Sequence, residues 1–354
     1  MSNRQHDRYG RDATTPWSIP FKGWRQVLSR TWVESGRHNL SVIAAGCAFY
    51  ALFAIFPALS ALITLFGLTA DPATADAQFE ILGLVLPPAA YTMVVEQTRR
   101  IVAASSHALG LSLALSVGLA LWSLTFLTQA VFSALNVASE EPERRSLLRF
   151  YLSTFLFAVL GVLGGAVTLL AVVYVPIVFA YAGYATDFER FISVARWPLL
   201  AVIVLMLLAC LYRYGPCRAN AKWRWVAPGA VLATAVWLAA SVGFSYYVSN
   251  FANYDRIYGS LGAVIVLLFW LYITFYILLL GAEINAELEL QTEMDTTSGS
   301  AKPMGKRGAF VADHVAGGPH NRKRPAGPVS ADPAAAKPGL APPLRPEKKS
   351  GEKS

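Results

Sequence analysis

Six stretches of the chain stay apolar for longer than a helix in a soluble protein needs. They are Leu40–Phe66, Leu109–Leu135, Tyr151–Phe179, Trp197–Tyr214, Ala227–Val248 and Leu261–Ala286, and the first five carry no charged side chain before their ends. About 20 apolar residues, rising 1.5 Å each, cross a hydrocarbon layer of roughly 30 Å. The pattern therefore predicts an all-α integral membrane protein, a bundle of six transmembrane helices over residues 40–286. Two shorter stretches show helical periodicity on one face only. Trp24, Val27, Leu28 and Thr31 form one stripe, with Lys22, Arg25 and Arg30 on other faces. Tyr91, Val94, Val95, Thr98, Ile101 and Val102 form another after Pro87 and Pro88. Both read as amphipathic helices lying in the membrane interface, the first within a basic arm of residues 1–39. From Gln291 to Ser354 Ser, Gly, Pro, Ala and Lys replace any apolar period, and the expectation is a disordered tail.

Composition sharpens this reading. The chain is 55% apolar and 15% charged, whereas soluble proteins carry roughly 25% charged residues. The net charge of +8 comes largely from the two ends, which suits an anionic leaflet better than nucleic acid, and no nucleic-acid partner is expected. Of the 30 Lys and Arg residues, Arg99, Arg100, Arg190, Arg196 and Arg256 alone fall in the three links on one side. The rest lie in the arm, the other links and the tail, so the positive-inside rule places both termini in the cytoplasm. Three cysteines, Cys47, Cys210 and Cys217, contain no CxxC pair and indicate neither a disulfide framework nor a zinc site.

Candidate chemistry is sparse. The histidines His6, His38, His107, His314 and His320 are scattered, and no nucleophile elbow, phosphate loop or metal-ligand cluster is present. The expectation is thus no catalytic residue, no metal and no cofactor. What remains is a polar cluster at helix ends on the cytoplasmic side: Asn136, Arg213, Glu283 and Asn285. An ionisable group in a membrane segment invites a functional reading. Here a lined cytoplasmic vestibule stands beside a structural lock in which Glu283 pairs with Arg213. Pro57 predicts a kink in the first helix. Ala44-xxx-Ala48, Ala54-xxx-Ala58, Gly161-xxx-Gly165 and Ala235-xxx-Ala239-xxx-Gly243 predict close helix packing.

Several of these segments resemble the YihY/BrkB family of bacterial inner-membrane proteins. They are Ala44–Tyr50 running on to Phe56-Pro57, the Ala134–Asn136 ending of the second helix, and Tyr212–Pro216 with Pro228–Ala230. The longest part runs from Tyr254 through Tyr258, Gly259 and Gly262 to Gly281–Asn285. The resemblance covers roughly residues 24–290 and departs at Val137–Glu141, where the family often continues with aromatic and basic residues. It implies a six-helix inner-membrane fold, with Tyr254, Tyr258 and Gly259 in a family-motif outer loop. Members were historically labelled as a ribonuclease, and for some relatives a part in exporting lipid or lipopolysaccharide precursors is proposed. The expectation is therefore a transporter or flippase-like protein of the bacterial inner membrane, acting on a lipid or another amphiphile. A non-transporting envelope scaffold is the alternative, and a membrane-bound ribonuclease the least favoured; the chain is expected not to be an enzyme. Membrane lipids are the expected partners, with a homo-oligomer or an energised partner left open.

Overall fold

The computed structural model describes residues 8–69, 106–169, 186–251 and 261–317. Among these residues, after a short 3-10 turn at Pro16–Ser18, eight α-helices follow: α1 (Phe21–Arg37), α2 (Leu40–Thr69), α3 (Ser106–Ala138), α4 (Leu147–Leu169), α5 (Thr186–Tyr214), α6 (Trp223–Phe251), α7 (Leu261–Glu289) and α8 (Phe310–Asp313). The fold is an all-α, multi-pass bundle with several long apolar helices. Its centre is α7, which packs against α1, α2, α3, α6 and α8. The closest-packed pairs are α2 with α3 and α6 with α7, while α4 touches the bundle mainly through α3.

The buried core is concentrated at one end. Leu40, Ala44 and Cys47 at the start of α2 meet Val131, Ala134 and Leu135 at the end of α3, together with Tyr212, Ala230, Leu279 and Ala282. Elsewhere the helices turn apolar side chains outward: Phe49, Phe53, Phe56, Leu119, Trp122, Leu160 and Val242 are all exposed. Between 11% and 33% of each long apolar helix segment is buried. In water such a surface would far exceed the apolar patches that monomeric soluble proteins tolerate; facing lipid, it is the expected one.

Among the described residues five helices are long and apolar enough to cross a membrane, which supports a multi-pass bundle and leaves the sixth predicted crossing, α5, outside that set. Its apolar part among the residues with described side chains is Pro198–Tyr214, the shortest of the set. Pro57 sits inside α2, which runs on to Thr69. The predicted outer helix at residues 91–102 and the motif residues Tyr254, Tyr258 and Gly259 lie outside the described residues.

The segment after Gln291, expected to lack structure, is folded as far as Gly317. Composition misleads here because this segment orders through hydrogen bonds to distant backbone, with a few apolar side chains, Val311 and Ala316, packed on Ala286 and Leu290. Ala221 and Thr297 form an antiparallel bridge, Ser298 N–H donates to Asn220 O at 2.8 Å and Ala219 N–H to Gly308 O at 2.8 Å. The Thr292 hydroxyl reaches Ala13 O at 2.7 Å. The buried Arg307 guanidinium ties Glu293 O (2.7 Å) to Ala312 O (2.6 Å). The N-terminal residues 8–39, the α3–α4 and α5–α6 links and the C-terminal segment thus form one polar cap on one end of the bundle.

Candidate functional site

The cap gathers the charges that the apolar helices exclude. The last turns of α7 carry Glu283, Glu287 and Glu289, each about 1% exposed, and each meets a base from a different part of the chain. Glu283 faces His38 Nδ1 at 3.2 Å, in the corner between α1 and α2. Glu287 takes Arg30 Nε of α1 at 2.5 Å, and Arg30 also donates to Glu287 O (3.1 Å) and Gln291 Oε1 (2.8 Å). Glu289 takes Arg218 Nη2 of the α5–α6 link at 2.5 Å and the Thr296 hydroxyl at 2.6 Å. A helix C-terminus presents unpaired carbonyls and a partial negative charge, so cations suit this end. Carboxylates placed there need them more.

The four predicted polar residues all lie in this cap but do not converge on one space. Asn136 bridges two links: its amide donates to Glu143 Oε2 at 2.9 Å and accepts from Cys217 N–H at 2.7 Å. Asn285 accepts from Gly229 N–H at 2.8 Å and donates to Val226 O at 2.9 Å, holding α7 to the start of α6 beside Pro228. Arg213 donates to Ala221 O and to Ser298 Oγ (3.3 Å) and lies 4.7 Å from the Trp223 ring centre. Glu283 pairs with His38, so the lock between Glu283 and Arg213 is not formed. Glu287, Glu289, Arg30, His38 and Arg218 escape a reading that ends the last helix at Ala286. The available signal was three glutamates within seven residues at the end of an otherwise uncharged helix.

Two hollows adjoin the α3–α4 hairpin. The first is a groove of about 400 Å³ on the outward face, lined by Gly118, Leu121, Trp122, Thr125, Phe126 and Gln129 of α3 and by Tyr151 and Phe155 of α4. Its walls are apolar apart from Thr125, Gln129 and the Tyr151 hydroxyl, and the Thr125 hydroxyl is already spent on Leu121 O at 2.7 Å. The second is an open cleft of about 730 Å³ in the cap, between the α3–α4 link, the α5–α6 link and residues 305–314. Arg145 lines the cleft. It forms a bidentate pair with Glu143 (2.8 and 2.8 Å) in the link, while its guanidinium lies 5.3 Å from the Phe132 ring centre and 5.5 Å from that of Phe150.

Burial alone would lower the pKa of His38, but the hydrogen bond and charge of Glu283, with Glu140 and Glu34 nearby, outweigh it and raise it above 6.5. Glu143 moves the other way. Its partial burial would raise the carboxyl, yet hydrogen bonds from Arg145 and Asn136 bring it down to about 2. Glu141 is raised by burial, against the N–H of Phe310 and the charges of Arg218 and Arg144. Among the described residues no group of three or more His, Cys, Asp and Glu side chains is placed to hold a metal ion.

The profile of the family described as Virulence factor BrkB matches residues 31–305. The ribonuclease-like protein YfkH of Bacillus subtilis is 30% identical over 278 residues, covering 76% of this chain and 96% of that protein. The UPF0761 membrane protein RC1_0578 of Rhodospirillum centenum is 26% identical over 82% of this chain and 62% of its own length. A UPF0761 membrane protein of Xanthomonas campestris is 33% identical over 31% of this chain and 26% of its own length. No solved structure matches. The description of YfkH corrects one expectation: with a relative of that extent named ribonuclease-like, the exclusion of enzymatic, nuclease-related activity does not stand. The match over residues 31–305 and the relatives named UPF0761 membrane proteins agree with the apolar helices, and the chain belongs to the BrkB (YihY/UPF0761) family of membrane proteins.

Proposed function

We propose that this protein binds a lipid or another amphiphile in the groove between α3 and α4 and carries it between the leaflets of the bacterial inner membrane. The groove is the observation behind this reading. Its volume of about 400 Å³ falls in the range of small-molecule sites, roughly 300–1,000 Å³. Its walls are apolar apart from Thr125, Gln129 and the Tyr151 hydroxyl, which leave a few polar points beside a tail-sized apolar surface. An amphiphile has the matching division between tail and head.

The same reading takes α5 as a sixth crossing. Residues 8–39 and 288–317 meet in one cap, so an even number of crossings joins them, and to the five spans among the described residues this reading adds α5. At 29 residues α5 reaches about 43 Å, enough to cross. The excess of Lys and Arg puts the cap in the cytoplasm. Helix α1 then lies along the inner leaflet: Val27, Thr31 and Glu34 face the bundle, while Phe21, Leu28 and Trp32 point out on another face, beside Lys22 and Arg25. Such a helix sits with its apolar side in the acyl boundary.

A photoreactive amino acid at Gln129 tests the groove in membranes of living cells. The expected outcome is a crosslink to a lipid-sized species that disappears when Gly118→Trp fills the groove. A Cβ at Gly118 meets nothing within 4 Å, so the larger side chain enters open space. Crosslinks that persist unchanged in the Gly118→Trp protein would contradict the reading.

A further inference from the structure

We infer that the cleft in the polar cap is a binding site for a phosphate-bearing anion. The inference goes beyond the amphiphile reading and does not depend on it.

The cleft brings Arg144, Arg145, Arg218 and Lys306 together with three carboxylates, Glu140, Glu141 and Asp313. Two of the carboxylates are turned to the protein's own backbone donors. Asp313 accepts from the N–H groups of Gly305 (2.6 Å), Arg307 (3.0 Å) and Gly308 (3.1 Å), in a loop where Gly305 and Gly308 adopt positive φ. Glu141 accepts from the N–H of Phe310, and Glu140, at the left-handed end of α3, also has a partner. The cations are less fully met. Arg144 and Lys306 are exposed at the mouth and form no ion pair among the described residues.

Arg218 is the second and independent observation. Its side chain is 5% exposed and lines the cleft. One nitrogen meets Glu289, yet its Nε and Nη1 are buried without a hydrogen-bond partner. Buried donors left unmet are costly, and more so when charged. The adjoining void of about 10 Å³, between Ser139, Tyr212 and Asn285, holds one water at most. A water accepts two hydrogen bonds, and Nε and Nη1 of Arg218 together present three N–H groups.

A phosphate group fits this set better than a carboxylate does. It carries several acceptor oxygens and up to two charges, which suit a guanidinium edge and two further cations. The Phe310–His314 stack, with ring centres 4.1 Å apart, forms a flat wall beside it. The bearer is either a lipid headgroup entering from the α3–α4 side or a free phosphorylated compound from the cytoplasm.

The test uses the full-length protein in phosphatidylcholine nanodiscs, titrated calorimetrically with inorganic pyrophosphate at constant ionic strength. Saturable binding is expected, weakened about tenfold or more in the Arg144→Gln/Lys306→Gln double variant. These side chains are exposed, so the unliganded variant should keep the wild-type unfolding midpoint. Nanodiscs containing phosphatidic acid separate the two sources. A headgroup that uses the site lowers the apparent pyrophosphate affinity; an unchanged affinity assigns the site to a free phosphorylated compound. Absence of saturable binding to the wild type, or equal binding by the double variant, overturns the inference. Pyrophosphate binding that survives while Gly118→Trp leaves the Gln129 crosslink untouched would sink the amphiphile reading alone.

Discussion

Glu283, Glu287 and Glu289 set the terms at the scale of single residues. Each brings a carboxylate into a nearly closed environment, and removing one partner of such a pair typically costs about 3–5 kcal/mol because the other charge is left uncompensated. Of the three pairs, His38–Glu283 is the one whose base is an imidazole, with a charge that depends on pH. His38 is charged more readily in the folded protein than in the unfolded chain. It therefore contributes stability that is complete below the ordinary imidazole value and lost as pH rises through the higher folded value. The groups around it are Glu34 and Arg37 of α1, Glu140 after α3, and Glu283 with Glu287 of α7. The thermal unfolding midpoint of the wild type should fall relative to His38→Gln as pH rises above about 6.5. A difference that widens with rising pH would contradict this. Sequence reasoning identified Glu283 from its place in a membrane helix but assigned it the wrong partner. Spacing along the chain cannot pair an acid with a histidine 245 residues away.

At the scale of elements, the hydrophobic pattern located each long helix among the described residues, four of them within a few residues at both ends, because the requirement to cover backbone groups from lipid leaves little freedom. Helix α4 ends ten residues before the predicted Phe179 and α5 begins eleven before the predicted Trp197. Contacts between helices were less legible. The small-residue pattern identified Ala44, Ala48 and Ala54, which are buried, but also Gly161, Gly165 and Gly243, where a Cβ would meet nothing within 4 Å. The closest approach is elsewhere, between Gly229 of α6 and Gly281 of α7. A Cβ at Gly281 would lie 2.8 Å from Ala233 Cβ and 2.9 Å from Gly229 O, with the Tyr212 hydroxyl also in the way. Gly281→Ala should destabilise the protein by about 1–3 kcal/mol, read as a lower unfolding midpoint in detergent, whereas Gly243→Ala should leave it nearly unchanged. Equal effects would contradict the assigned interface. The outward face of α1 makes a separate prediction. A spin label at position 28 should be reached by oxygen from the bilayer and one at Gln26 by an aqueous relaxing agent. The reverse would place α1 away from the membrane.

At the scale of the whole molecule, the bundle divides into an apolar part in contact with lipid and a polar cap assembled from four distant stretches of chain. The first division is written in local composition and could be read directly. The second could not, because residues 291–317 have no apolar period and become ordered only when Thr292, Arg307 and their neighbours find backbone partners in residues 9–13 and 219–222 and within the segment itself. The loop at Val137–Glu141, where the chain departs from its family's usual pattern, supplies Glu140 and Glu141 to the cleft. The α3–α4 hairpin connects both parts: its helices line the apolar groove and its link, with Arg144 and Arg145, lines the cleft in the cap.

The measurement closest to the groove's proposed role is leaflet exchange of fluorescent phospholipid and lipid A-like probes by the purified protein in liposomes, scored against empty vesicles. The account predicts exchange above background for at least one probe and its loss in the Gly118→Trp variant, with folding retained. No exchange with any probe, or exchange that Gly118→Trp leaves intact, would contradict it.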